Sequence, residues 1–385
     1  MSIHVFRLRE IKLISIPTVK FLFRNVLMNI GMSPQEPNES NVANNEQKQQ
    51  LDDEVVKGDI LLEAEKRYND DRLLEAARLL HDYENDESLN EVHRDILEKA
   101  RDCEEFLCEI KMDIVGDEHK EKQEKAAKKS DDDCYGRWVK QITTSCSGRT
   151  TDIYYMLDKE TKTQLSLRVD TPIEKSLLVP LLSVLNECEL YPTWLPSWSI
   201  PRMGIRKVTK LSQKGRVSQI IIVTVDVPWP LQTREVVISA VGVDDIDDHG
   251  EIVVRLHSLH TGEENGLVPP PDKRDDVIRI DFNGGFVFRK HVVKDDDTPT
   301  NGDDEDLIMT SFQSSIDSKL NTLPKPLLNF VLRQAFGMMW SMLLRVAEEV
   351  RDGKRPEHAK AIADKRDVLY NWVDERVGLM LETKS

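Results

Sequence analysis

The chain has 385 residues, 39% of them hydrophobic, enough to fill a core and to exclude disorder throughout. Its 32% charged content and net charge of −16 point to acidic surfaces, against the basic balance by which generic nucleic-acid binders neutralise phosphate. No segment reaches the roughly 18–20 uncharged apolar residues of a membrane span. The five cysteines hold no C-x-x-C pair, so a zinc site or disulfide framework has little support, and reduced thiols in a cytoplasmic protein are expected.

Residues 1–31 carry Arg7, Arg9, Lys12, Lys20 and Arg24 against Glu10 alone. That balance fits an organellar targeting segment, a membrane-surface helix, or a gene model extended upstream of Met32. Ser33 to Gln50 is rich in Asn, Gln, Glu, Pro and Ser, which makes 1–50 a disordered or targeting N-terminus. Residues 51–116 turn helical. Leu73, Ala76, Ala77, Leu80 and Tyr83 form one stripe, and Leu89, Val92, Ile96, Ala100, Cys103, Leu107 and Ile110 form another. A single tetratricopeptide-like pattern is visible around Leu61–Tyr68, whereas such arrays need about three repeats. A helical hairpin that packs on its neighbour, or recruits a partner through 51–112, is the expectation. Residues 117–133 form a charged linker.

The period then changes. Ile153–Leu157 and Gln164–Val169 read as strands. Thr171-Pro172-Ile173-Glu174 reads as a capping box opening a helix, with Pro180 kinking or dividing it. Six more strands are expected, at 200–211, 217–227, 232–243, 250–260, 276–291 and 307–316. In the fourth, Ile252, Val254 and Leu256 alternate with Glu251, Val253, Arg255 and His257, predicting one buried and one largely wet face. Arg255, His257, Arg279 and Asp281 are assigned to the wet one. Asn283-Gly284-Gly285 suggests a bulge or a short turn. Leu323-Pro324 opens a helix to about Val350 that is apolar almost all round, and so should be buried on more than one side. An amphipathic helix within 353–385 closes the chain.

Strands, two helical pieces, six strands and a long C-terminal helix give an α+β class, a curved antiparallel sheet wrapped around that helix in a helix-grip arrangement. The residues carry a resemblance as well. Trp194-Leu195-Pro196, the corner Pro228-Trp229-Pro230 followed by Arg234-Glu235, Leu323-Pro324 before the last helix, and Trp138 ahead of the first strand are together similar to motifs of the START (steroidogenic-acute-regulatory-related lipid transfer) family. The resemblance covers roughly 134–352. It departs at Glu235, usually aspartate, at Ala240, where some sterol binders carry a cavity arginine, and in the acidic insertion 294–306.

The resemblance implies a tunnel between sheet and C-terminal helix that holds one lipid. Phe282, Phe286 and Phe288 are candidate walls from the sheet, and Met338, Met339 and Met342 an adaptable wall from the helix. Trp194 and Trp198 are candidates for membrane contact or gating. Trp229, Arg234 and Glu235 are read as a structural corner. No cofactor or metal is expected: the acidic loop near Gly302 fails the calcium-loop pattern, with Pro299 and Ile308 at ligand positions. No enzyme signature appears, and His257, His260 and His291 lack an evident partner. The function expected is non-enzymatic binding and transfer or sensing of a lipid, with transient membrane contact. The alternative is a signalling adaptor with a vestigial cavity. On the first reading, a chain lacking 51–112 keeps its lipid transfer.

Overall fold

A computed structural model describes residues 39–111, 138–146, 148–157, 164–195, 197–199, 202–227, 231–271, 277–291, 307–317, 319 and 325–382. The chain divides into two units, Met1–Asp59 and Ile60–Ser385, and the second holds the sheet. The readings of residues 1–31 and 117–133, of Trp229, of Leu323-Pro324 and of the acidic insertion lie outside the described residues.

Helix α1 spans Glu39–Asn69 and so begins inside the segment expected to be a linker. Glu, Gln, Lys and Ala there are good helix formers, and elongation from an established helix avoids the cost of nucleation. The turn Asp70–Asp71 leads into α2 (Leu73–Leu80) and then α3 (Glu91–Lys111). Asn90 caps α3, its side-chain oxygen accepting from the His93 amide at 2.9 Å.

Among the described residues one curved sheet of eleven strands follows: β1 (Val139–Cys146), β2 (Arg149–Leu157), β3 (Gln164–Glu174), β4 (Ser197–Ser199), β5 (Arg202–Lys214), β6 (Ser218–Asp226), β7 (Arg234–Asp245), β8 (Glu251–Ser258), β9 (Ile278–Arg279), β10 (Asp281–Lys290) and β11 (Leu307–Asp317). The order is β1-β2-β3-β11-β10-β8-β7-β6-β5-β4, antiparallel throughout, with the short β9 parallel to β7. Three strands, not two, precede the helical pieces. The polar β1 carried too little alternation to be recognised, and it is held by its ladder to β2.

The capping-box expectation at Thr171–Glu174 fails for a related reason. Those four residues pair with Leu307–Thr310 as the end of β3, and helix α4 starts only at Lys175 and ends at Asn186. A ladder to a central strand outweighs a local cap. Pro180 lies inside α4 without dividing it.

The long helix α5 (Lys325–Arg351) crosses the inner face over β3, β11 and β10. Trp340, Leu343, Leu344, Val346, Ala347 and Val350 are buried there, with Trp340 stacked near Phe286 and Phe312. Its indole donates to Thr171 Oγ1 at 3.0 Å, which in turn donates to Thr151. Arg149 clamps the same end, reaching Glu174 and Glu348 at 2.6 Å each. Met338, Ser341 and Arg345, at i, i+3 and i+7, form an exposed stripe, so the helix is not enclosed all round. Beyond it lie α6 (Pro356–Asp364), a π-helical turn (Arg366–Tyr370) and α7 (Asn371–Glu382).

On the outer face, α2 and α3 bury most of their stripes on the sheet, although Val92 is exposed. Leu73, Ala77, Ile96, Cys103, Phe106 and Leu107 form one core with Val241, Val243, Val253 and Val287. This reverses the expected polarity of β8: Glu251, Val253 and Arg255 are its buried positions. Arg255, expected in solvent, is 5% exposed. Its guanidinium grips both carboxylate oxygens of Asp102 at 2.8 and 2.5 Å and donates to Gly284 O at 2.7 Å. Arg279 bonds Glu235 at 2.5 Å, and Asp281 meets Lys319 at 2.8 Å. His257 lies near Asp102 under the hairpin.

There is no bulge at Asn283–Gly285, since both neighbouring registers run straight through it. The glycines serve close approach instead. A Cβ on Gly285 would lie 2.4 Å from Val254 O and 3.0 Å from the Phe106 ring, both fixed by packing. Gly285→Ala is expected to lower stability by about 1–3 kcal/mol through overpacking, read as a lower urea midpoint at unchanged slope.

His358 of α6 is 1% exposed, with Nδ1 3.4 Å from Ser183 Oγ. Burial, aided by the Arg355 charge, makes its imidazole harder to protonate than in the unfolded chain. The contribution is therefore complete above the unfolded value of about 6.5 and is lost as pH falls below it. Stability should decline between pH 7 and pH 5 by at most about 1.4 kcal/mol per unit from this group. His358→Gln should flatten that decline, which urea midpoints across the range would show.

Candidate functional site

Alternate residues of β6, β7 and β8 face inward over the half of the sheet that α5 does not cover. Gln219, Ile221 and Val223, then Ile238, Ala240 and Gly242, then Ile252, Val254 and Leu256 form the floor of a cavity of about 220 Å³. Ala240 and Gly242 keep it open because neither carries bulk. A Cβ on Gly242 would come 2.7 Å from Val217 Cγ2, so the glycine also lets the β5–β6 turn fold against the floor. Leu182 and Leu185 of α4, with Tyr191 and Leu195 after it, make one end. Phe286 makes another part of the wall.

The roof is the end of the chain: Leu369 and Tyr370 of the π-helical turn, then Trp372, Val373 and Arg376 of α7. It is tied down largely by charge. Arg376 grips Asp244 at 2.5 and 3.0 Å and reaches Asp247 at 3.0 Å. Trp372 lies under the Arg216 guanidinium at 4.0 Å, and Arg216 is held by Asp70 and Asp71 at 2.5 and 2.7 Å. Burial makes the Asp71 carboxyl easier to protonate than usual, although Arg216 opposes this. At the other end of the roof, buried Glu187 accepts from Lys365 at 2.7 Å and from the Tyr370 hydroxyl at 2.8 Å.

The expected wall residues separate. Phe286 lines the cavity. Phe288 is fully buried in the core, and Phe282 packs at its margin. The methionine wall is corrected: Met338 is 44% exposed on the outward stripe of α5, and Met339 and Met342 flank that stripe away from the cavity. From Trp340 to Val350 the α5 face that turns inward is buried in the core, and α7 supplies the cover over the cavity. Trp194, a candidate gate, is 8% exposed and meets Tyr191 edge-on at 5.7 Å. The Trp198 side chain is outside the described set.

Arg234 and Glu235 do not pair with each other, because neighbours on a strand face opposite ways. Arg234 donates to Gln232 O at 2.5 Å and to Lys319 O at 3.4 Å, while Glu235 anchors β9 through Arg279. A further clamp at the corner is Arg206, bonded to Asp226 at 2.7 Å and to Thr233 at 2.8 Å.

The cavity residues missed from sequence are those of the roof, the end wall from α4, and most of the floor, Gln219 and Gly242 included, while Ala240 was marked only by its departure from the family pattern. Trp372 and Arg376 sit on one face of an amphipathic helix, a pattern that shows a buried side but not what lies beneath. His257, His260 and His291 do not line the cavity. Burial pushes the Cys188 thiol up to about 12, so it stays protonated at neutral pH. Among the described residues no group of side chains is placed to hold a metal ion, and no helix is long and apolar enough to cross a membrane.

No family model matches the sequence, and no curated protein does. Among solved structures, the chain is similar to human STARD10 at TM-score 0.41 and 12% identity, covering 56% of this chain and 75% of that one. It is also similar to a STAR-related lipid transfer protein fragment from Xanthomonas axonopodis, at TM-score 0.37 and 15% identity over 54% and 98%. Human StAR-related lipid transfer protein 5 gives TM-score 0.38 and 10% identity over 55% and 87%. By its own geometry the chain is a helix-grip arrangement, a curved antiparallel sheet against one long helix, the fold that the resemblance of its motifs implies.

Proposed function

We propose that this protein binds one hydrophobic lipid in the cavity over β6–β8 and transfers or senses it without catalysing a reaction. The observation that carries the reading is an apolar hollow left unfilled between a small-residue floor and a roof tied by ion pairs. Apolar walls with a few polar groups are the usual makeup of a lipid site. At about 220 Å³ the hollow is smaller than the roughly 300–1,000 Å³ typical of ligand pockets, so a two-chain lipid needs the roof to move. The π-helical turn at Arg366–Tyr370 forms part of the roof, and such turns recur at functional positions. Loading then takes place during transient contact with a membrane surface, as the roof lifts.

The non-enzymatic reading draws support from the cavity lining, where among the described residues no histidine or thiol stands beside a second positioned group. The adaptor alternative is weakened, since the apolar stripes of α2 and α3 are spent on the sheet. The test is to incubate the purified chain with liposomes of mixed composition, re-isolate it, and analyse its organic extract by mass spectrometry. Recovery of a bound lipid class supports the reading. Recovery of none from several membrane compositions overturns it.

A further inference from the structure

The cavity's polar groups are nearly all committed to one another. The Tyr370 hydroxyl and Asn186 Nδ2 both donate to Glu187, at 2.8 and 3.1 Å. Arg376 is held by Asp244 and Asp247, and Asp244 also accepts from the Ile246 amide at 3.1 Å. Gln219 is the exception. Its side chain is 6% exposed at the cavity wall, and Nε2 donates to Asn186 O at 3.1 Å. Oε1 is buried with no hydrogen-bond partner among the described residues.

The free end of that amide must be the oxygen. Asn186 O is a carbonyl and can only accept, so the NH₂ group has to face it, and turning the amide over would set two acceptors against each other. A buried acceptor left without a donor is costly and calls for an explanation. We infer that Gln219 Oε1 accepts a hydrogen bond from the ligand, which is therefore a neutral lipid bearing a hydroxyl group rather than a fatty acid or a phosphate-bearing lipid. Charge points the same way. Among the described lining residues the cation is Arg376, already shared by two carboxylates, and an anionic headgroup would lie beside Glu187 and Asp244 with no further cation there. A hydroxyl fits because it donates once and needs no counter-charge.

This inference rests on the lipid-binding reading and deepens it. The experiment is displacement of an environment-sensitive apolar fluorophore from the full chain by decan-1-ol, 1-methoxydecane and decanoate at pH 8. The alcohol and the ether differ in the donor. The alcohol is expected to bind about tenfold or more tightly than either the ether or decanoate, since an unmet buried acceptor penalises the ligand that lacks a donor. In Gln219→Met the ratio between alcohol and ether should fall to about one. Equal binding of alcohol and ether by the unaltered chain would overturn the inference while leaving the lipid-binding reading intact, and it would assign Oε1 to water. A preference that persists in Gln219→Met, or a preference for decanoate, would also overturn it. Binding of none of the three would remove the lipid-binding reading itself, and the inference with it. The comparison in the unaltered chain needs no variant, so a poorly folded Gln219→Met does not rescue the claim.

Discussion

A chain lacking residues 51–112 is expected not to fold, against the sequence expectation that lipid transfer survives this deletion. The deletion strips α2, α3 and the end of α1 from the outer face of the sheet. Val241, Val243, Val253 and Val287 then meet water. At about 1.5–3 kcal/mol per buried side chain, these four alone forfeit about 6 kcal/mol or more, comparable to the roughly 5–15 kcal/mol that holds a whole domain. Arg255 would also lose Asp102 while keeping only its carbonyl contacts. Removing one partner of a buried ion pair costs about 3–5 kcal/mol, less here because Asp102 is partly exposed. Circular dichroism and a urea titration check this. A deleted chain that melts cooperatively would show that the hairpin is an appendage. Asp102→Ala in the full chain gives the graded version, with an expected loss of about 2 kcal/mol.

Ala240→Phe should weaken ligand binding about a hundredfold and leave the fold intact. Ala240 lies on the cavity floor, so a ring there enters empty space instead of a packed core. The ring would displace about four methylenes of ligand at about 0.8 kcal/mol each, which is about 3 kcal/mol, or roughly a hundredfold in affinity. Its stability should stay within about 1 kcal/mol of the unaltered chain. Fluorophore displacement and a thermal melt on the same sample separate the two effects. Retained affinity would mean that the ligand sits elsewhere.

Much of the sheet was legible because alternation survives wherever a strand has two different faces. β5, β6, β7, β8 and β11 lie close to their expected ranges for that reason. The environment of each face was not legible. Alternation in β8 separates Ile252, Val254 and Leu256 from Val253 and Arg255, but it does not say which set is tightly covered. Here the mixed set is sealed under a helical hairpin, and the all-apolar set borders a hollow. Capping signals misled at Thr171–Glu174 because the ladder to β11 is a long-range contact.

The site was half legible. Phe286 could be named from its strand, and the apolar character of α5 marked a helix with a buried face but overstated how far it is enclosed. Among the described residues that helix meets the sheet with Trp340, Leu344 and Ala347, and its methionines do not line the cavity over β6–β8. The roof comes from residues 369–376, whose ion pairs to Asp244 and Asp247 span more than a hundred residues of sequence. Gln219 was invisible for a different reason. A glutamine in a strand carries no signal until the structure shows that one end of its amide is satisfied and the other is not.

The most direct test of the central claim is native mass spectrometry of the full chain after incubation with liposomes, run beside Ala240→Phe. A single added lipid mass on the unaltered chain, absent from the variant, is the result expected of one ligand in the cavity over β6–β8. The absence of any added mass, or equal loading of the two proteins, would contradict it.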